Sequence, residues 1–468
     1  MLARPLRALL SLLLAVVFVS ELAAPAVAKK HRAPAAKPTA TEATKPAQTV
    51  KAPKEALLAA ADEIAKQVSA LRGLTLEKPL ARGVLSRDQI GAKLKARIGK
   101  EYTPEEVRGE GQVLKRIGLL PKDADYEKMI LDLLMEQVAG FYDPFTAKLY
   151  IADWLPLEMQ RPAMAHEIEH ALQDQHFDLK RFAEPIKDDG DLQLARSALV
   201  EGDGTAVMLE FQAQSMGMPV DAVADMVGQI GKQMVQGGMG QAPLFEKSPP
   251  FLKETLIFPY LSGLTFVEAL HKQAPWSKID DAFRSPPEST EQVMHPEKYL
   301  AHEHPLKVTD APVAALAPEK ALRRDVLGEL EFRILFASQL SDDKAEKAAA
   351  GWGGDRLVAY NVAGAAADAL PTVIDLSAWD SETDAKEAEA AGVVLLAKLA
   401  EKPAAKPGAP ALYTDSAHAE WWVERRGNEL LLIFGAPAGS HAAAADQIWK
   451  SWKVSAAAPA SKPAQPTR

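Results

Sequence analysis

The amino-acid sequence predicts an α+β fold, with a mainly helical first part that contains a small β-hairpin and a smaller α+β part after it. Apolar residues recur at helical spacing in most segments between residues 54 and 305. An Asp-Pro turn separates aromatic and β-branched residues at 140–151, which is typical of a hairpin. After residue 306, short strand-like segments alternate with helical ones, which indicates a compact α+β domain.

The composition limits the class of protein. The 468 residues are 47% hydrophobic, which is enough for two domains with apolar cores. A formal net charge of −9 and a pI near 5.7 argue against a nucleic-acid partner, whose binding surface is basic. Because the chain has no cysteine, we expect no disulfides, thiolate metal ligands, cysteine nucleophile or lipoprotein anchor. No oligomeric state is predicted.

The N-terminal segment has the layout of a secretory signal peptide. Arg4 and Arg7 precede an apolar run over 8–19, and Ala26-Val27-Ala28 forms a small-x-small cleavage site. The run is shorter than the roughly 20 apolar residues that a transmembrane helix needs. We therefore expect an exported protein, periplasmic or extracellular, without a stable membrane span.

The chain divides into five predicted segments. Stretches rich in Ala, Pro and Lys cannot bury enough apolar surface to offset the entropy of ordering, so we expect them to be disordered. The segments are a signal peptide at 1–28, a disordered linker at 29–53, a mainly helical domain at 54–305, an α+β domain at 306–455 and a disordered tail at 456–468.

Helical periodicity continues from the linker to the hairpin. Thr103 is a capping residue followed by proline and two acids, which is typical of a helix start. Helices are predicted at 57–71, 87–98, 104–117 and 126–138.

One segment contains the pattern H-E-x-x-H, at His166, Glu167 and His170. Residues four apart lie on the same face of a helix, so the two imidazoles can bind one metal ion. Glu167 is then placed to take a proton from a water on that ion. Two nitrogen ligands and an open position suit catalytic zinc, which lowers the pKa of bound water to about 7. Pro162 is expected in the first turn of this helix. An exposed helix with a chance match is the alternative.

A further helix is predicted from Asp191 to Phe211, and its middle reads Glu201-Gly202-Asp203-Gly204-Thr205. Each glycine inside a helix costs about 1 kcal/mol relative to alanine, and segments that break a local rule are often functional. Glycines let one helix approach another closely. We therefore predict Glu201 as the third zinc ligand; the alternative is a surface carboxylate beside a flexible kink.

Together these residues resemble the gluzincin arrangement of thermolysin-like zinc metallopeptidases over about residues 125–300. The residues around the motif are similar to those of exported, poorly characterised bacterial zinc peptidases. The resemblance implies a zincin-like domain with Zn²⁺ on His166, His170 and Glu201 and with Glu167 as general base. It implies a peptide or protein substrate, and the 140–151 hairpin looks like the family's substrate-binding edge strand.

The same resemblance implies a hydrogen-bond donor downstream of the third ligand, a His or Tyr that stabilises the negative charge on the reacting carbonyl oxygen. Tyr260, in a predicted helix, and His295, in a proline-bounded loop, are the candidates. We favour His295 because Pro287 and Pro296 hold its loop in place. A histidine that only caps a nearby carbonyl is the alternative.

Two other interpretations remain open. His166, His170 and His176 fit the spacing H-E-x-x-H-x-x-x-x-x-H, which resembles the metzincin signature with His176 as third ligand, although Gln173 stands where that family has a glycine. The other is a catalytically inactive zincin-like protein that serves as a cell-envelope binding or scaffold protein. The intact pair of histidines with Glu167 argues against it.

The second half is predicted to be a separate α+β unit. Its glycines at 351–354 do not form a phosphate-binding pattern and favour a tight turn. Helices are predicted at 321–340, 383–399 and 442–452, strands at 356–362 and 370–376, and a hairpin at 421–435.

Overall fold

The structure is a computed structural model, and it describes residues 52–137, 140–226, 229, 243–274, 276–316, 321–362, 364, 366 and 368–456. The predicted signal peptide, nearly all of the predicted linker and nearly all of the predicted tail lie outside the described residues. Within these residues the fold is α+β, as predicted.

The first half is mainly helical. Its helices are α1 (Lys54–Arg72), α2 (Arg87–Glu101), α3 (Pro104–Arg116), α4 (Tyr126–Gln137), α5 (Leu157–Phe177), α6 (Lys180–Ala183), α7 (Gly190–Met216), α8 (Pro243–Lys247), α9 (Pro250–His271), α10 (Ser277–Arg284), α11 (Thr290–Met294) and α12 (Pro296–Leu300). Its strands are β1 (Ala81–Leu85), β2 (Gly140–Asp143) and β3 (Lys148–Ala152).

The four predicted helices before the hairpin and the hairpin itself are confirmed. Strands β2 and β3 pair antiparallel, with Tyr142 opposite Leu149. Strand β1, which was not predicted, pairs parallel with β3, so β2 forms one edge of a sheet with the order β1-β3-β2. The parallel pairing joins Ala81 to Lys148 across a long stretch of chain, and local periodicity does not reveal such a pairing.

Helix α5, which carries the H-E-x-x-H pattern, packs between α1 and α7. Its residues Met164, Ile168 and Leu172 belong to an apolar cluster that also contains α1 residues such as Ile64 and Val68. Pro162 lies inside the helix rather than in its first turn, because α5 begins at Leu157, so that prediction was wrong. The apolar packing fixes which face of α5 points toward α7.

The second half is built on one antiparallel sheet with the strand order β5-β6-β7-β10-β9-β8. Its strands are β4 (Lys307–Thr309), β5 (Arg323–Asp325), β6 (Trp352–Tyr360), β7 (Thr372–Trp379), β8 (Ala411–Thr414), β9 (Glu420–Arg426), β10 (Glu429–Ala436) and β11 (Lys453–Ser455). Its helices are α13 (Gly328–Ala337), α14 (Asp342–Ala349), α15 (Glu382–Leu399) and α16 (His441–Ser451).

Both faces of this sheet are covered. Leu430 and Leu432 of β10 belong to the same cluster as α15, while Leu431 and Ile433 pack with α16 residues such as Ile448. This alternation is expected of a strand buried on both sides.

One prediction for the second half was wrong. Instead of a helix over 321–340, the chain forms strand β5 and then the shorter helix α13. Gly328 begins α13 with a φ of +74°, a conformation that ends any helix running in from before it. The other predicted helices and strands of this half are present, with ends shifted by a few residues.

The two halves share one apolar cluster, which extends from Ile90 in α2 through Phe266 in α9 to Phe434 in β10. The predicted boundary at 305 falls between α12 and β4. No helix in the described part of the chain is long and apolar enough to cross a bilayer.

Candidate metal centre

The two imidazoles of the H-E-x-x-H pattern lie side by side. His166 and His170 sit one turn apart on α5, and their ring centroids are 4.6 Å apart with the planes nearly perpendicular. Both side chains are buried. One face of α5 therefore presents two nitrogen donors toward α7, as the spacing predicts.

Helix α7 runs unbroken through Gly202 and Gly204, which let it approach α9 and α5 closely. A Cβ atom on Gly202 would lie 2.8 Å from Cα of Gly263 in α9, and one on Gly204 would lie 2.9 Å from Cε1 of His166. Real Cβ atoms do not approach this closely, so alanine at either position would push neighbouring groups away. The predicted close approach is confirmed, and the alternative of a surface carboxylate beside a flexible kink was wrong, because α7 is continuous and Glu201 is buried.

Glu201 lies between the imidazoles. Its Oε2 atom is 3.0 Å from Nε2 of His166 and 3.4 Å from Nε2 of His170. Zinc–ligand bonds of about 2.0–2.2 Å place tetrahedral donors roughly 3.3 Å apart, so the three side chains have the spacing of one ligand set. Buried Oε1 of Glu201 has no hydrogen-bond partner within the described residues, which leaves this oxygen available for a cation.

The charges of the three groups are coupled. Burial and the neighbouring His170 lower the pKa of His166. Burial would lower the pKa of His170, but the carboxylates of Glu201 and Glu167 raise it to about 10. Burial would raise the pKa of Glu201, but the imidazoles lower it. The carboxylate is thus held ionised beside the two rings, and two imidazoles with one carboxylate are a donor set typical of catalytic zinc.

Glu167 is positioned by the hairpin. Its Oε2 atom accepts a hydrogen bond of 2.6 Å from the backbone N–H of Tyr142 in β2. Burial is the main cause that raises the pKa of Glu167, to about 8, and the Tyr142 hydrogen bond opposes it. The carboxyl group is therefore oriented by the main chain next to the two imidazoles and has a pKa suited to proton transfer near neutral pH.

A second contact fixes β2 against α5. The Tyr142 hydroxyl donates to Oδ2 of Asp174 over 2.7 Å, and Oδ1 of Asp174 accepts from the N–H of Leu179. Because the Tyr142 N–H points to Glu167 and not to β3, the outer edge of the hairpin faces the candidate site. The predicted edge strand is therefore β2.

The two candidate oxyanion donors are in different places. Tyr260 of α9 lies against His166, with ring centroids 6.0 Å apart. His295 instead contacts Glu329 of α13, where Nε2 and Oε1 are 3.0 Å apart, and Glu297. The choice of His295 as the oxyanion donor is therefore corrected. The proline-bounded loop of His295 is ordered as predicted, but this loop directs the imidazole toward the second half of the chain.

His176 does not join the imidazole pair. Its Nε2 atom lies 2.8 Å from the carbonyl oxygen of Thr75, and Nδ1 lies 4.0 Å from Glu77. Helix α5 continues through Gln173 to Phe177, so the sharp turn that a metzincin-type third histidine needs is not made. The alternative of His176 as third ligand was therefore wrong.

Three residues support the site through contacts that were not predicted. Gln173 lies 2.9 Å from Nδ1 of His170, and it also donates to Asp203, which pairs with buried Arg72. Asp203 lies in the glycine motif next to the predicted ligand Glu201, and its contact with Gln173 was not predicted. Arg72 lies about a hundred residues before the H-E-x-x-H pattern, and an isolated arginine at a helix end gives no sequence signal for this role.

A second group of acids is bridged by a lysine. Glu291, Glu303 and Asp380 lie close enough together to bind a cation, but the ammonium of Lys298 contacts all three at 2.6–2.7 Å. This cluster is an ion-pair network that joins the two halves.

Parts of this chain are similar to a domain family and to a solved structure. A domain family of unknown function, DUF8575, matches residues 316–446, which lie in the second half. A solved structure from Chloroflexus aurantiacus is described as a putative hydrolase with a novel fold. It is 17% identical to this chain with a TM-score of 0.32, and the match covers 53% of this chain and 89% of the other protein. No curated protein matches the chain. The chain is thus similar to these proteins only in part, and the candidate site lies outside the matched domain family.

Proposed function

We propose that this protein is an exported zinc-dependent peptidase that hydrolyses peptide bonds with a metal-activated water. The observation that carries the proposal is the meeting of His166 Nε2 and His170 Nε2 at one carboxylate oxygen of Glu201, at 3.0 and 3.4 Å. The predicted signal peptide supports export. The arrangement agrees with the gluzincin resemblance, in which the third ligand is a glutamate on the following helix.

The protein side chains divide the chemistry. When bound, zinc would polarise the scissile carbonyl and lower the pKa of water. Glu167 takes the proton of the attacking water and passes it to the leaving amine, which is general acid–base catalysis by one carboxyl group. The Tyr142 N–H holds that carboxyl group in orientation throughout.

Tyr260 is the candidate that stabilises negative charge on the carbonyl oxygen. Its ring lies beside His166 on the α9 side of the site, while Glu167 is held from the hairpin side. A phenolic O–H donates at neutral pH, since its ordinary pKa is about 10. We assign this role to Tyr260 in place of His295.

The edge strand supports a peptide substrate. Within the described residues, strand β2 pairs only with β3, and its other edge adjoins Glu167. An extended peptide can add to such an edge through main-chain hydrogen bonds. A backbone laid along β2 would bring a scissile bond near the metal ligands.

Burial of the site favours a second candidate function, a catalytically inactive zincin-like binding or scaffold protein. His166, Glu167, His170 and Glu201 are at most 3% exposed, so a peptide has little access in this conformation. An enclosed site with one zinc would then stabilise the fold, and the second half of the chain would bind a partner.

The two functions are separated by combining zinc analysis with digestion of a peptide library. The peptidase predicts about one zinc per chain, cleavage by the wild type, and loss of cleavage with full zinc in Glu167→Gln. Zinc at that stoichiometry without cleavage of any peptide would favour the scaffold function. Cleavage that persists in Glu167→Gln would contradict the assigned role of Glu167.

A further inference from the structure

Gln173 is buried one turn after His170 on α5 and contacts its ring. The amide oxygen of Gln173 lies 2.9 Å from Nδ1 of His170. The amide nitrogen donates to the carbonyl oxygen of Val200 at 3.1 Å and to Oδ2 of Asp203 at 3.0 Å. Both of these partners lie on α7, next to the predicted ligand Glu201.

These partners settle which end of the amide faces the histidine. Val200 and Asp203 offer only acceptors, so they take the two amide hydrogens and leave the oxygen for His170. An oxygen acceptor at Nδ1 requires a proton on Nδ1. In the neutral ring, the lone pair is then on Nε2, which faces Glu201 and His166 and can bind a metal ion.

Asp203 is itself held by Arg72 from the last turn of α1. Nε of Arg72 lies 2.9 Å from Oδ1 of Asp203, and Nη2 lies 2.8 Å from Asp280 of α10. The guanidinium also lies over the ring of Trp276, 4.6 Å from the centroid. The Arg72 side chain is fully buried and also lies 3.6 Å from Oε1 of Glu169, so these contacts fix it and, through it, the Asp203 carboxylate.

We propose that Gln173 is a positioning residue that keeps His170 in the tautomer and ring orientation that bind metal through Nε2, and that Arg72 holds Gln173 in place through Asp203. This inference rests on the proposed zinc function. It adds three residues outside the H-E-x-x-H and Glu201 set, Gln173, Asp203 and Arg72, which link α1 to His170.

A buried hydrogen-bond network could also serve stability alone, and zinc affinity separates the two roles. Gln173→Met keeps an unbranched side chain of similar length but removes the acceptor at Nδ1. Loss of such an outer contact typically weakens metal binding by about 10–100-fold. We expect a rise of that size in the zinc Kd, measured by competition with a chelator, and a smaller rise for Gln173→Glu, which keeps an oxygen acceptor.

Gln193→Met is the matched control. Gln193 is also a buried glutamine and lies on α7, where its amide nitrogen donates to Phe182 O at 2.9 Å and its oxygen accepts from Ile186 N at 2.8 Å. The substitution Gln193→Met should lower the Tm of the metal-free protein about as much as Gln173→Met does, without changing the zinc Kd.

NMR gives a second readout of the His170 tautomer. In ¹⁵N-histidine NMR of the zinc-loaded wild type, the Nδ1 proton of His170 should exchange slowly with solvent, and it should exchange fast in Gln173→Met.

The outcomes are distinct. A zinc Kd for Gln173→Met equal to that of the wild type, with Tm lowered as in Gln193→Met, overturns the positioning role. If Gln173→Met does not fold, Arg72→Lys is tested instead, because lysine keeps the charge but not the planar guanidinium group. A smaller rise in the zinc Kd is expected for Arg72→Lys, and an unchanged Kd would contradict the proposal. Wild type that binds zinc but cleaves no peptide removes the peptidase function and leaves the Kd test intact. Wild type that binds no zinc overturns both.

Discussion

Nε2 of His166 lies 3.0 Å from Oε2 of Glu201, although 35 positions in the sequence separate the two residues. The contact depends on α5 and α7 approaching each other, which in turn depends on Gly204 facing the His166 ring.

The first prediction concerns the ligands. His166→Ala and Glu201→Ala should each abolish stoichiometric zinc binding, because too few donors remain for a catalytic site. His176→Ala is the matched control and should keep its zinc, since that imidazole contacts Thr75. Zinc content after dialysis is the measurement. Zinc that is lost in His176→Ala but kept in Glu201→Ala would restore the metzincin-type arrangement.

Glu167→Gln should retain the fold and the zinc but lose turnover. The substitution preserves the shape of the side chain and removes the proton acceptor, and general base catalysis contributes about 10²–10⁴-fold. The measurement is kcat on a peptide that the wild type cleaves, with zinc content and circular dichroism as controls. Turnover equal to the wild type would show that another group accepts the proton.

Tyr260→Phe should lower kcat by about 10²–10³, as for other lost oxyanion donors, without loss of zinc. His295→Ala should leave kcat unchanged, because its ring contacts Glu329. Both variants are compared on one substrate. The opposite pattern, with kcat lost only in His295→Ala, would return the role to His295.

The close contact between α7 and α9 can be tested through Gly202. Gly202→Ala places a methyl group against the Gly263 backbone and should destabilise the protein by about 1–3 kcal/mol, as overpacking does. Gly99→Ala is the control, because that helical glycine has nothing within 4 Å of its added Cβ, and it should stabilise by about 0.5–1 kcal/mol. Denaturant unfolding measures both. Equal effects would mean that α7 and α9 are not in close contact.

His295 should make stability depend on pH. Its hydrogen bond to Glu329 raises the pKa of His295, which burial alone would lower. A raised pKa gives stabilisation that is fully present below the unfolded pKa of about 6.5 and is lost as pH rises through the folded pKa. The free energy of unfolding lost in His295→Ala should therefore be larger at about pH 6 than at about pH 9. A loss that grows with pH would contradict this sign.

The sequence was sufficient where the signal is local. Helical spacing places His166, Glu167 and His170 on one helix, and the glycines around Glu201 indicate close helix contact. The choice between Tyr260 and His295 could not be made in this way, because a loop's direction is set by tertiary packing. His295 turned toward α13, a helix whose start was itself predicted wrongly.

The supporting residues could not be predicted for the same reason. Arg72 reaches Asp203 from a helix 131 positions earlier, and no periodicity or motif marks that pairing. Gln173 was noted only because a glycine was expected there in the metzincin alternative. A glutamine on a buried helix face gives no sign of which of its partners it will meet.

The most direct test of the central claim is an anomalous difference map at the zinc absorption edge from crystals of the purified protein. The account predicts one strong peak within about 2.0–2.2 Å of His166 Nε2, His170 Nε2 and a carboxylate oxygen of Glu201. The matched crystal of Glu201→Ala should show no peak there. A zinc peak elsewhere in the wild type, or a peak that persists unchanged without Glu201, would contradict the proposed centre.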